Sequence, residues 1–178
     1  MKYALIGCGR IATNHVKAVV NNNLELVAVC DVIPEHMEEL LAKHDLQGDV
    51  GIKRYTDYKK LIEENEIELA GIATESGNHA EIALYCIEHG INVIIEKPMA
   101  MSLDDAEAII KLSDEKGVKV SACHQNRFAL GGKLFSGTGD SGGDSLKHMG
   151  RGHSTQQLAA DKGQQFLFAL GQPVKAFL

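Results

Sequence analysis

A short apolar run, Tyr3 to Ile6, leads directly into Gly7-Cys8-Gly9-Arg10-Ile11-Ala12, and then into apolar residues at helical spacing. Few architectures accept that order. Gly7 permits a tight turn, Gly9 lets a ligand approach the backbone, and the small Ala12 lets a helix lie close on the strand. The opening of that helix offers unpaired amides and the positive end of its dipole. Strand, glycine turn and helix together predict a phosphate-binding crevice in a layered α/β sheet.

The alternation continues beyond this turn. Strand candidates are Tyr3 to Ile6, Leu26 to Cys30, Ile52 to Tyr55, Leu69 to Ala73, Asn92 to Ile95 and Val118 to Ala122. Several are apolar almost throughout, as parallel strands covered on both faces must be. Between them, Ala12, Val16, Val19 and Val20 form one helical stripe, and Ile82, Ala83, Cys86 and Ile87 another. Pro34 suits a first helical turn, Gly90 and Gly117 suit positions just past helix ends, and Ser102 with Asp105 resembles a capping box. The expectation is a doubly wound, mostly parallel α/β sheet.

Composition changes near Phe128. Of the 18 glycines, 8 lie in residues 1–128 and 10 in the last 50, and no isoleucine follows Ile110. Residues 1–128 therefore predict a regular domain, and 129–178 a glycine-rich appendage in place of a full second domain. The formal charge of −6, with no basic block, argues against a nucleic-acid surface. No apolar run approaches the ~18 residues of a membrane span, and Met1-Lys2-Tyr3 leads into too short a stretch for a signal peptide. A soluble, cytoplasmic protein is expected. Cys8, Cys30, Cys86 and Cys123 are scattered singly, without the paired spacing of a zinc site or a disulfide framework. No metal site is expected.

Asp31 stands at the end of the second strand candidate, 24 positions after Gly7. There its carboxylate would accept hydrogen bonds from a ribose. A 2′-phosphate would meet a like charge, a repulsion of roughly 4 kcal/mol per unit-charge pair at about 4 Å and an effective dielectric near 20. That favours NAD over NADP. Asp31 could also serve as a cap or turn residue before Pro34, and the two roles are compatible. Arg10 could contact a phosphate or remain solvated. Glu96-Lys97-Pro98 follows the fifth strand candidate, at the carboxyl end where open α/β sheets gather ligands. Lys97 could hold or share a proton with a substrate hydroxyl there, or form a solvated pair with Glu96.

These segments, with Thr74 to His79 and Cys123-His124-Gln125-Asn126-Arg127-Phe128, together resemble the Gfo/Idh/MocA oxidoreductases over residues 1 to about 128. The nearest likeness is to nucleotide-sugar dehydrogenases of the UDP-N-acetylglucosamine 3-dehydrogenase type. The resemblance implies a Rossmann domain and hydride transfer between nicotinamide and a hydroxyl-bearing sugar carbon. It also implies an α/β substrate domain whose open sheet often forms a homo-oligomer interface. Gly7, Cys8, Gly9, Arg10, Ile11, Asp31, Thr74, Ser76, Asn78, His79, Glu96 and Lys97 would then contact the cofactor. Lys97 would assist proton transfer, and His124 and Arg127 would join it at the substrate. His79 could equally be a helix-start residue, and His124 a packed strand-end residue. Beyond Phe128 the expected strands of the second domain are not evident. A noncatalytic dinucleotide-binding module or truncated subunit is therefore the alternative reading.

Overall fold

The computed structural model describes residues 1–123. They form six strands and five helices in strict alternation. The strands are β1 (Lys2–Ile6), β2 (Glu25–Cys30), β3 (Lys53–Tyr55), β4 (Leu69–Ile72), β5 (Asn92–Ile95) and β6 (Val120–Ala122). The helices are α1 (Ala12–Asn21), α2 (Pro34–Ala42), α3 (Tyr58–Glu63), α4 (His79–Glu88) and α5 (Leu103–Lys116), with a short 3-10 turn, Ser76–Asn78, leading into α4. All strand pairs are parallel, in the order β3-β2-β1-β4-β5-β6. The order reverses direction between β1 and β4, and a crevice opens where their carboxyl ends diverge.

Alternation along the strands sorts the core into two layers. On one face Ala4, Ile6, Ala70, Ile72, Val93 and Ile95 pack with Leu61, Ile82, Ala83, Cys86, Ile87 and Ile109 from α3, α4 and α5. On the other, Tyr3, Leu5, Val29 and Ile94 pack with Ala12, Val16, Val19, Leu40 and Leu41 from α1 and α2. The α4 stripe is buried as its spacing predicts. The α1 stripe is narrower than expected, because Val20 is 57% exposed. It lies at the edge of the apolar arc, about 100° around the helix from Val19, and turns away from the sheet.

The expected helix signals act where their chemistry places them. Pro34 occupies the first turn of α2. At α5 the Ser102 hydroxyl accepts the Asp105 amide at 3.1 Å and donates to the Asp105 carboxylate at 2.7 Å. Gly117 ends that helix with φ +67°, and Gly90 follows α4 with φ +76°, conformations in which a Cβ would be strained. The sixth strand starts two residues later than its apolar run, because the Val118 amide still donates to Ser113 at the helix end. All four cysteines are buried free thiols. No helix among the described residues is long and apolar enough to cross a membrane.

Gly71, in β4, has a packing reason for its identity. A Cβ there would collide with the hydroxyl of Tyr3, which is 2% exposed and cannot swing away. Gly71→Ala is expected to destabilise the fold by about 1–3 kcal/mol. An unchanged denaturant midpoint would show that the Tyr3 ring has room to yield.

Candidate functional site

The site begins with how the chain leaves β1. Gly7 has φ +94°, and a Cβ on it would overlap the backbone of Ala73 and Thr74 at the end of β4. Its amide donates to Cys30 O at 2.8 Å, so the turn is pinned to β2 as well. Gly9 is the opposite case. Nothing lies within 4 Å of where its Cβ would project, and it lines the crevice. The loop thus presents bare backbone to open space. Among the described residues, the amides of Arg10 and Ile11 donate to no other group of the chain. This is a cradle that a diphosphate fits.

The crevice has a volume of about 390 Å³. Gly7, Gly9, Asp31, Thr74 and Asn78 line it, as the sequence suggests. Asp31 is held from three sides. Its Oδ2 accepts the Cys8 amide at 2.7 Å, while Oδ1 accepts the Ile33 amide at 2.9 Å and lies 3.3 Å from His36 Nδ1. Asp31 shapes the turn before α2 and also faces the crevice, so its turn role leaves the ribose role open. A carboxylate offers about four acceptor sites, so a ribose hydroxyl can still be received.

Other residues expected at the cofactor divide by position. Cys8 contributes its amide to Asp31, while its side chain is buried and its thiol donates to Cys30 O at 3.6 Å. Arg10 is exposed, Ile11 half-buried, and Ser76 lies on the 3-10 turn beside the crevice lining. His79 is 1% exposed, with Nδ1 2.7 Å from Pro98 O and Nε2 3.0 Å from Thr74 O. It lies beneath the loop, outside the lining. His124 and Arg127 lie outside the described residues.

Glu96 and Lys97 face opposite ways and do not pair. Lys97 is exposed, and among the described residues no carboxylate forms an ion pair with it. Glu96 turns inward, 6% exposed, with Oε1 3.2 Å from His15 Nε2. The far side of that ring, Nδ1, lies 2.9 Å from Tyr3 Oη. Burial raises the Glu96 pKa, but bonding and charge from His15, bonding from the Cys123 thiol and the Lys97 amide together outweigh it and leave Glu96 below its ordinary 4.5. A carboxylate only accepts, so His15 Nε2 donates to it, while Nδ1 meets the Tyr3 hydroxyl, a donor that can also accept. Burial, reinforced by Cys123 and Glu96, raises the Tyr3 phenol well above 10.0 and keeps that donor in place. A ring nitrogen of His15, a carboxylate oxygen of Glu96 and the Cys123 sulfur all lie within 4.8 Å of one another.

The crevice also draws in residues that motif reading passes over: His36, Thr56, Tyr58, Glu81 and Ile82. Tyr58 Oη donates to Glu81 at 2.7 Å. One signal was available for part of this wall. Val32 and Ile33, 81% and 44% exposed, are apolar residues directly after a strand with no core to fill.

Glycine turn, switch-point crevice and strand-end acid define the class, a dinucleotide-binding α/β domain. A family model described as an oxidoreductase family with an NAD-binding Rossmann fold matches residues 1–124. The chain belongs to this family, the Gfo/Idh/MocA oxidoreductases. Inositol 2-dehydrogenase of Salmonella typhimurium is 26% identical over 173 residues, covering 94% of this chain and 50% of the relative. That similarity extends past residue 128, since 94% of the 178 residues is more than the front segment holds. Glycosyl hydrolase family 109 protein 1 of Bacteroides fragilis is 40% identical over 95 residues, covering 51% of this chain and 20% of the relative. Among solved structures, the WlbA dehydrogenase of Bordetella pertussis in complex with NADH and UDP-GlcNAcA is 30% identical, with a TM-score of 0.67. The match covers 75% of this chain and 39% of that one. The chain spans between a fifth and a half of the length of these two curated relatives.

Two outcomes follow from the buried chemistry. Burial pushes the Cys8, Cys30 and Cys86 thiols up to about 12, and burial with Glu96 raises Cys123 further. Native protein should therefore react slowly with a thiol reagent and release all four thiols on unfolding; a fast native phase would contradict this burial. Glu96 contributes stability that is complete above its ordinary 4.5 and is lost as pH falls through its lower folded value. Glu96→Gln should remove that part of the acid destabilisation in urea titrations, and acid slopes equal to wild type would refute it.

Proposed function

We propose that this chain is the cofactor half of an NAD-dependent oxidoreductase acting on a hydroxyl-bearing carbon of a sugar or nucleotide sugar. The observation that carries the reading is the coupling of Asp31 to the glycine turn. One carboxylate oxygen takes the Cys8 amide while the same side chain lines the crevice, so diphosphate cradle and ribose acceptor are held as one unit. Gly9, Arg10 and Ile11 would hold the diphosphate, and Asp31 the adenosine ribose. NAD is preferred over NADP because the carboxylate repels a 2′-phosphate.

Bound NAD supplies a hydride acceptor at its nicotinamide. Lys97, exposed at the carboxyl end of β5, would hold the substrate hydroxyl and assist its proton transfer. His124 and Arg127, immediately after β6 in sequence, would approach the same substrate. The sugar class rests on the likeness to WlbA, whose structure holds NADH and UDP-GlcNAcA, and to inositol 2-dehydrogenase. Because the inositol dehydrogenase match continues beyond residue 128, the glycine-rich segment reads as part of a substrate domain.

The alternative is a dinucleotide-binding module without turnover. NADH absorbance with nucleotide sugars and with inositol separates the two, since tight NAD binding without turnover selects the module. Calorimetry tests the cofactor claim itself. Asp31→Ala should weaken NAD by roughly tenfold to a hundredfold and narrow the gap to NADP. Equal affinities of the wild type for both dinucleotides would remove Asp31 from the recognition.

A further inference from the structure

Two buried histidines flank the turn that carries Lys97, and their surroundings differ in kind. His15 lies between a carboxylate and a hydroxyl that can donate or accept, so the ring is satisfied on both sides. His79 lies between two backbone carbonyls, Pro98 O at 2.7 Å and Thr74 O at 3.0 Å. Carbonyl oxygens only accept. A neutral imidazole has one donor and one lone pair, so it can bond one of these carbonyls and must press its lone pair against the other. With the ring 1% exposed, no water can mediate either contact.

We propose that His79 is a doubly protonated positioning residue that straps the Lys97 turn to the cofactor loop. The inference rests on the dinucleotide-binding reading above and extends it to the alignment of Lys97. Thr74 lines the crevice, while Pro98 adjoins Lys97 outside it, and the two segments come from the ends of β4 and β5. The imidazolium is the one chemical form that donates to both carbonyls together. Its position at the start of α4 sets it against the positive end of a helix dipole. Two charge-assisted bonds, each roughly twice as strong as a neutral one, oppose that effect. A diphosphate held in the crevice would add an anion on the Thr74 side of the ring. His79 thus makes the occupied loop and the Lys97 turn move as one body.

The test uses the full chain. In protein carrying ¹⁵N-histidine, two-bond ring correlations report whether each His79 nitrogen bears a proton, with and without NAD. Lysines methylated with ¹³C report whether Lys97 responds to NAD, its signal being assigned by Lys97→Arg. His79→Asn retains a donor near Nδ1, and His79→Gln retains one near Nε2, so each variant keeps one half of the strap. Two protonated nitrogens in the NAD-bound wild type support the proposal. So does a loss of NAD affinity of roughly tenfold in each variant, with a weakened Lys97 response. A bare ring nitrogen in the NAD-bound wild type overturns it, as does an unchanged Lys97 response in either variant that binds NAD. If the wild type fails to bind NAD at all, the cofactor reading falls, and the ring nitrogens of the free protein still decide the strap. If both variants misfold, the wild-type spectrum decides alone.

Discussion

How the chain leaves β1 governs everything downstream of it. β1 lies between β2 and β4, and at its end the backbone of Gly7 is bonded to Cys30 on one side and pressed against Ala73 and Thr74 on the other. No residue with a side chain fits between those two neighbours. The turn that results directs the following amides into the crevice and starts α1 above the sheet. The ligand cradle and the packing of the first helix therefore share one cause, the missing Cβ at Gly7.

A second constraint lies deeper and is polar. Tyr3, His15, Glu96 and Cys123 form a buried hydrogen-bonded chain joining β1, α1 and the segments that follow β5 and β6. Each member depends on its neighbours, because an unpartnered polar group in such surroundings costs about 1–3 kcal/mol. Gly71 belongs to the same arrangement, since its bare backbone makes room for the Tyr3 hydroxyl. The result holds Glu96 inward, so that the next residue, Lys97, faces outward at the carboxyl end of β5. Stability of the core and presentation of the candidate proton carrier are two consequences of one network.

Legibility in the sequence followed the range of the interaction. The glycine turn, the capping box at Ser102 and Asp105, and the Gly117 helix stop act within a few residues, and a linear reading finds them. The strands were legible because parallel strands covered on both faces must be apolar throughout. Val20 was misassigned because an apolar residue at the margin of a helical stripe can face either way. The wall made by His36, Thr56, Tyr58 and Glu81 left almost no linear trace, since those side chains meet only when separate strand ends converge.

By itself the sequence determined the class of sheet, the glycine turn and the acid beside it, because each is written in adjacent residues with local steric or electrostatic demands. Tertiary structure alone decided that Glu96 and Lys97 point apart, that Asp31 is bonded to the glycine turn, and that His79 lies beneath the cofactor loop. Those outcomes join residues 5 to 81 positions apart. Burial and hydrogen-bond satisfaction select them, and both are properties of the folded packing that composition and spacing do not carry.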